Sequence, residues 1–153
     1  MLFRSAEALQ ERADLKRSLN SLRERLQRVT LVQEGEKPAE DPDKLMKELE
    51  ESLARLEYLI RQINLTNCAY KVDGQTLTEL IAKKDVLRVK QSAYRDILYA
   101  ASQSTQRARN TEIKIVPVLK AAQLQKKADE LAKEIRLLDN KIQQANWTAD
   151  LME

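Results

Sequence analysis

Leu124, Ala128, Leu131, Ile135, Leu138, Ile142 and Ala145 recur at alternating steps of four and three residues. That mean period of 3.5 keeps one apolar stripe on one side of a helix, which must then lie against a partner helix. Three further stretches carry stripes of the same kind, so partners are available within the chain. Leu15, Leu19, Leu22, Leu26 and Val29 form one, which Ala8 extends backward past Arg12. Met46, Leu49, Leu53, Leu56, Ile60 and Ile63 form another, widened by Leu45 and Leu59. Leu77, Leu80, Leu87, Tyr94, Leu98 and Ala101 form the last, with Lys84 and Gln91 on the same line. Beside it runs a second stripe of Val86, Val89, Ala93, Ile97 and Ala100, which predicts two neighbours for that helix.

The punctuation agrees with four helices, at about 5–32, 42–67, 77–102 and 119–145, in a single domain. Ser5 is the expected N-cap of the first, and Gly35 with Pro38 the expected stop. Asp41-Pro42 starts the second as N-cap and first helical residue. Asp73-Gly74 reads as a turn, and Thr76-Leu-Thr-Glu79 as a capping box opening the third. Alternation of Ile113, Lys114, Ile115 and Val116 before Pro117 predicts a short extended piece at 112–116. Its only other extended partner is 70–72, so any pairing of the two is expected between subunits. Only two Gly and three Pro interrupt the chain, and aromatics are few. The fold class is therefore all-α, with long antiparallel helices arranged as a four-helix bundle or as paired helical hairpins of coiled-coil type. Helices of about 26–28 residues span roughly 40 Å each. Their broad stripes offer more apolar surface than one thin bundle hides, which predicts a two-fold homo-oligomer.

Composition narrows function mainly by exclusion. No histidine is present, which removes Ser-His-Asp and Cys-His nucleophile systems and His-based metal sites. No catalytic, cofactor-binding or metal-binding residues are assigned, and the chain is read as a non-enzyme. Glu48, Glu50, Glu51 and Glu57 read as a solvated face, with a weak divalent-ion site as the alternative. Cys68, the lone cysteine, suits a reducing, cytoplasmic setting and reads as a small filler rather than a redox thiol. No apolar run approaches the ~18 residues of a membrane span, and the first residues lack a secretory core.

Charge is distributed unevenly. Residues 34–60 hold nine acids against four bases, whereas the first helix is basic. From residue 83 to 114 stand Lys83, Lys84, Arg88, Lys90, Arg95, Arg107, Arg109 and Lys114 against only three acids. This segment reads as a face that pairs with an acidic helix of a neighbour. The alternative is contact with nucleic acid, where Tyr94 and Tyr99 would stack bases. Trp147 reads as a cap over the bundle end or as an interface anchor.

Several segments also resemble a family of small bacterial proteins of unknown function, some of which carry the label septicolysin. They are Ala6-Glu-Ala-Leu-Gln-Glu-Arg-Ala-Asp-Leu-Lys16, Val32-Gln-Glu-Gly-Glu36, Ala39-Glu-Asp-Pro42, Ile63-Asn-Leu-Thr-Asn67, Asp73-Gly-Gln-Thr-Leu-Thr78, and residues 121–147 around Leu124-Gln-Lys-Lys-Ala-Asp-Glu-Leu-Ala-Lys133. The resemblance covers nearly the whole chain and implies no mechanism. Its label implies a membrane-active cytolysin. The expected function is thus a cytoplasmic helical oligomer acting as a structural or interaction module, ahead of nucleic-acid association and of the cytolysin reading.

Overall fold

Four long helices carry the fold of the computed structural model, which describes residues 3–103 and 115–152. They are α1 (Ser5–Val29), α2 (Pro42–Ala69), α3 (Leu77–Ser102) and α4 (Ala121–Thr148), with a minimal ribbon, β1 (Lys71–Val72) and β2 (Gln75–Thr76), between α2 and α3. The protein is all-α. Its chain divides into two compact units, Met1–Val72 with Ala145–Glu153, and Asp73–Gln144.

The first unit is an antiparallel hairpin of α1 and α2. On α1 the shielded line is Ser5, Ala8, Arg12, Leu15, Leu19, Leu22, Leu26 and Val29, the stripe the sequence predicts. On α2 it is Leu45, Leu49, Ser52, Leu56, Leu59, Ile63 and Thr66, again at steps of four and three. This is a correction. Met46, Leu53 and Ile60, expected on the seam, are exposed, and Leu45 and Leu59, expected to widen it, are buried. Two overlapping heptad lines exist on α2, and the one completed by small or polar residues won. Thr66 and Gln62 can be buried because each is satisfied. The Thr66 hydroxyl donates to the Gln62 carbonyl at 2.8 Å and accepts the Met152 N–H at 2.9 Å, while Gln62 Nε2 donates to the Met152 carbonyl at 2.6 Å.

Those bonds belong to a clasp that closes the hairpin's open end. The Ser5 N–H donates to the Ala149 carbonyl and the Leu151 N–H to the Phe3 carbonyl, at 2.9 and 2.8 Å, so residues 3–5 and 149–151 pair antiparallel. Arg4 Nη1 reaches the Thr148 carbonyl and the Asp150 carboxylate, both at 2.8 Å. Leu151 is thereby pressed onto Ala8, Leu59 and Ile63. Ser5 is accordingly the first helical residue, with Arg4 at the N-cap position, and its buried hydroxyl has no partner among the described residues. At the other end Leu22, Val29 and Leu45 form a second cluster. There α1 stops at Val29, earlier than periodicity predicts. Gly35 sits at φ 87° inside the following turn, closed by Glu36 N–H to the Gln33 carbonyl, and does not cap the helix.

The connection to α3 is the turn the sequence predicts. Asp73 and Gly74 both take positive φ, 51° and 83°, as a two-residue hairpin turn with right-handed strand twist requires. Hence 71–72 pairs with 75–76. The expected extended piece lies mostly outside the described residues; Ile115 and Val116 have no regular structure. Asp41 caps α2 by accepting from Asp43 N–H at 3.0 Å. Thr76 and Glu79 complete the capping box of α3 at 3.2 and 2.6 Å.

The second unit pairs α3 antiparallel with the length of α4 up to Gln144. Leu77 and Leu80 are buried on α3, and Leu131, Ile135, Leu138 and Ile142 on α4. Lys84 lies on the α3 seam as the sequence places it, its ammonium bonded to Asp139 at 2.9 Å. Lys83 to Glu134 at 3.1 Å and Lys141 to Asp73 at 2.5 Å tie the same hairpin.

Candidate functional site

Once the seams are filled, apolar side chains remain on two faces. A helix turns about 100° per residue, so a residue one position off a heptad line points well away from it. Met46, Leu53 and Ile60 are each one position past a seam residue of α2 and therefore line its outer side. Leu53 is 43% exposed. Around it Leu56, Glu57, Ile60, Leu65 and Cys68 line a shallow groove of about 610 Å³. Glu50 and Glu57 run along one flank of this face, seven residues apart, and both are exposed. Cys68 sits exposed in the last turn of α2, so it is not the interior filler the sequence suggests.

The second face is on α3. Val86, Val89, Ala93, Ile97 and Ala100 are all exposed, Val86 at 68% and Val89 at 71%. Lys83 and Lys90 line one flank, Asp85 and Asp96 the other. The sequence predicts this stripe and a neighbour for it, which the described residues do not supply. A smaller groove of about 310 Å³ lies at the end of the same unit, between Ile97, Ala100, Ala101 and 116–119.

The basic residues are not one free patch. Lys84 and Lys83 are held by Asp139 and Glu134, Lys90 lies 5.5 Å from the Tyr94 ring centroid, and Arg95 bonds Ser92 at 3.4 Å. Arg88 stays on the exposed side of α3. Arg107, Arg109 and Lys114 lie outside the described residues. Trp147 is helical and 66% exposed, so it does not fold back as a cap; a large exposed indole fits the interface-anchor alternative.

Among the described residues, three carboxyls are shifted by ion pairing. Hydrogen bonding to Arg55 holds Glu11 below the usual carboxylate range, against the opposing pull of burial. Arg25 does the same for Glu40, and Lys84 for Asp139. All three shifts lead away from neutral pH, as ion pairs of a scaffold give. Glu48, Glu50, Glu51 and Glu57 are exposed, and no group of three or more acidic or Cys side chains suited to a metal ion occurs among the described residues. No described helix is long and apolar enough to cross a membrane.

In fold, the chain matches a crystal structure from Corynebacterium diphtheriae, that of a functionally unknown conserved protein, with a TM-score of 0.90 and 37% sequence identity over 99% of this chain and 100% of that one. Among curated proteins none matches. The model of a family of unknown function, DUF6847, matches residues 12–151. The chain belongs to the DUF6847 family.

Proposed function

We propose that this protein is a non-enzymatic helical module that self-assembles, and that its two outer apolar faces are the surfaces it assembles through. The observation that carries this reading is the pair of stripes left over after each hairpin has closed. Met46, Leu53 and Ile60 on α2, and Val86, Val89 and Ile97 on α3, recur with the regularity of a packed seam yet face outward. A row of exposed aliphatic residues costs roughly 25 cal/mol for every Å² left in water, so a partner surface is favoured. Two-fold assembly is the simplest closed form. A reducing cytoplasm suits it, since the groove on α2 ends at an exposed thiol.

The absence of histidine and the downward shifts of the perturbed carboxylates support the non-enzymatic part. The kinship with septicolysin-labelled proteins is part of the same proposal, without a pore-forming activity. Nucleic-acid contact ranks below assembly, because Lys84 is largely covered and answers to Asp139 of its own hairpin, and the net charge of the chain is only +3. Light scattering on the purified chain, read beside its 260/280 absorbance ratio, tests both. A mass of twice the chain or more, falling toward one chain in Leu53→Asp with helicity retained, is the expected result. A mass of one chain at all accessible concentrations refutes assembly. A high ratio at low salt would put nucleic acid first.

A further inference from the structure

The two outer faces differ in charge in a way that selects how copies meet. On α2 the stripe Met46, Leu53, Ile60 is flanked on one side by Glu50 and Glu57. On α3 the stripe Ala82, Val86, Val89, Ala93 is flanked on the corresponding side by Lys83 and Lys90. Each pair spans seven residues, two helical turns, so the rows have the same pitch. When two helices lie antiparallel, the same flank of each comes together; when they lie parallel, opposite flanks do. Such flanking charges set partner and direction more than affinity.

Five arrangements can be compared on that basis. An α2 face on a second α2 face, antiparallel, sets the glutamate row against itself. An α3 face on a second α3 face, antiparallel, does so with the lysine row. An α2 face parallel to an α3 face sets the glutamates against Asp85 and Asp96. A parallel pair of α3 faces sets lysines against Asp85 and Asp96 but leaves the α2 face uncovered. The antiparallel pairing of α2 with α3 brings the glutamate row onto the lysine row and covers both apolar faces.

We infer that α2 of one copy packs antiparallel on α3 of a second copy, with Glu50 opposite Lys90 and Glu57 opposite Lys83. This rests on the assembly reading above and adds its register. Leu53 then falls beside Val86 and Val89, Ile60 beside Ala82, and Met46 beside Ala93, large side chains of α2 meeting the smaller ones of α3. Lys83 keeps its bond to Glu134, because an ammonium has three donors and this side chain is half exposed.

The test is charge exchange in the full-length chain, read as a dissociation constant by sedimentation equilibrium, with circular dichroism as the folding control. Glu50→Lys and Lys90→Glu are both exposed and leave helicity unchanged. Each alone weakens association about tenfold or more, from repulsion across the contact. Combined in one chain, they restore it to near the starting value. Two results overturn the register. One is losses that merely add in the double variant. The other is assembly indifferent to both charges while Leu53→Asp abolishes it, which leaves the assembly reading standing. A starting protein that is monomeric throughout removes both. As a second readout, Leu53→Cys with Val86→Cys in a Cys68→Ser background gives an oxidised dimer on denaturing gels; no cross-link between chains counts against the pairing.

Discussion

The two hairpins are built to one pattern and closed to different degrees. In the first, buried positions run from one end of the seam to the other, from Ser5 and Ile63 to Val29 and Leu45, and the open end is locked by the 149–152 clasp. In the second, full burial is confined to one end. Leu77 and Leu80 are buried, but Leu87, Gln91, Tyr94, Leu98 and Ala101 are only half shielded, as are Leu124 and Ala128 in the first turns of α4. The heptad spacing of α3 and α4 is no less regular. A seam therefore fixes which side of a helix is covered, and its side chains decide how well. Lys84 and Gln91 occupy two layers of the α3 seam, and neither can be sunk without a polar partner.

The largest effect follows from that contrast. Leu59→Ala removes a side chain with no exposure from between Ala8, Ile63 and Leu151, and costs about 2–5 kcal/mol. Leu98→Ala, at the loose end of α3, costs well under half as much, because the site is already partly wet. Urea titrations of the two variants, followed by circular dichroism, measure both. Equal losses would break the comparison. Next in size is the clasp. Leu151→Ala empties its place against Leu59 and Ile63 and costs about 2 kcal/mol or more. It also speeds amide exchange at Ser5 and Met152 while leaving Leu131 to Ile142 unchanged.

How legible this was in the sequence depends on what each residue had to report. All four helices, and the seams of α1, α3 and α4, follow from spacing alone, since burial of one face demands it. So do the caps at Asp41 and Thr76, which depend on neighbours three residues away or fewer. Spacing alone points to the wrong seam on α2, because Met46, Leu53 and Ile60 make a wholly apolar line beside one in which Leu45 and Leu59 alternate with Ser52 and Thr66. The deciding fact was that buried Gln62 and Thr66 bond to a tail ninety residues on. No local pattern carries that. Gly35 shows the same limit: its positive φ was foreseeable, but not whether a helix end or a later turn would use it. The outer faces were visible only as surplus apolar residues, because a single sequence does not say which surplus is covered.

A smaller effect concerns acid. The carboxyls of Glu11, Glu40 and Asp139 are held below their unfolded values by Arg55, Arg25 and Lys84. A depressed folded pKa contributes stability that is present at neutral pH. It begins to fade near the ordinary carboxylate range, about pH 4, and is gone below the folded values. Two of these pairs tie α1 to the α2 side and one ties α3 to α4. Urea midpoints taken between pH 7 and pH 3 should therefore fall. The fall should be shallower in Glu40→Gln, and shallower still at high salt, since the pairs are largely exposed. A Glu40→Gln profile parallel to the parent would show that the Arg25 contact contributes nothing.

The smallest prediction has the opposite sign. Ser5 is packed at the tightest point of the clasp, its N–H bonded to Ala149 and its hydroxyl buried without a partner. Burying an unpaired hydroxyl costs on the order of 1 kcal/mol or more, and the site holds a side chain scarcely larger than a methyl. Alanine keeps the methylene, removes the orphan oxygen and is the better helix former. Ser5→Ala should thus raise stability by about 1 kcal/mol, seen as a higher urea midpoint at unchanged slope. A loss instead would mean that the hydroxyl is bonded in solution, with an internal water the natural candidate. The closed end of the first hairpin would then be wetter than its packing implies, and closer in kind to the loose end of the second.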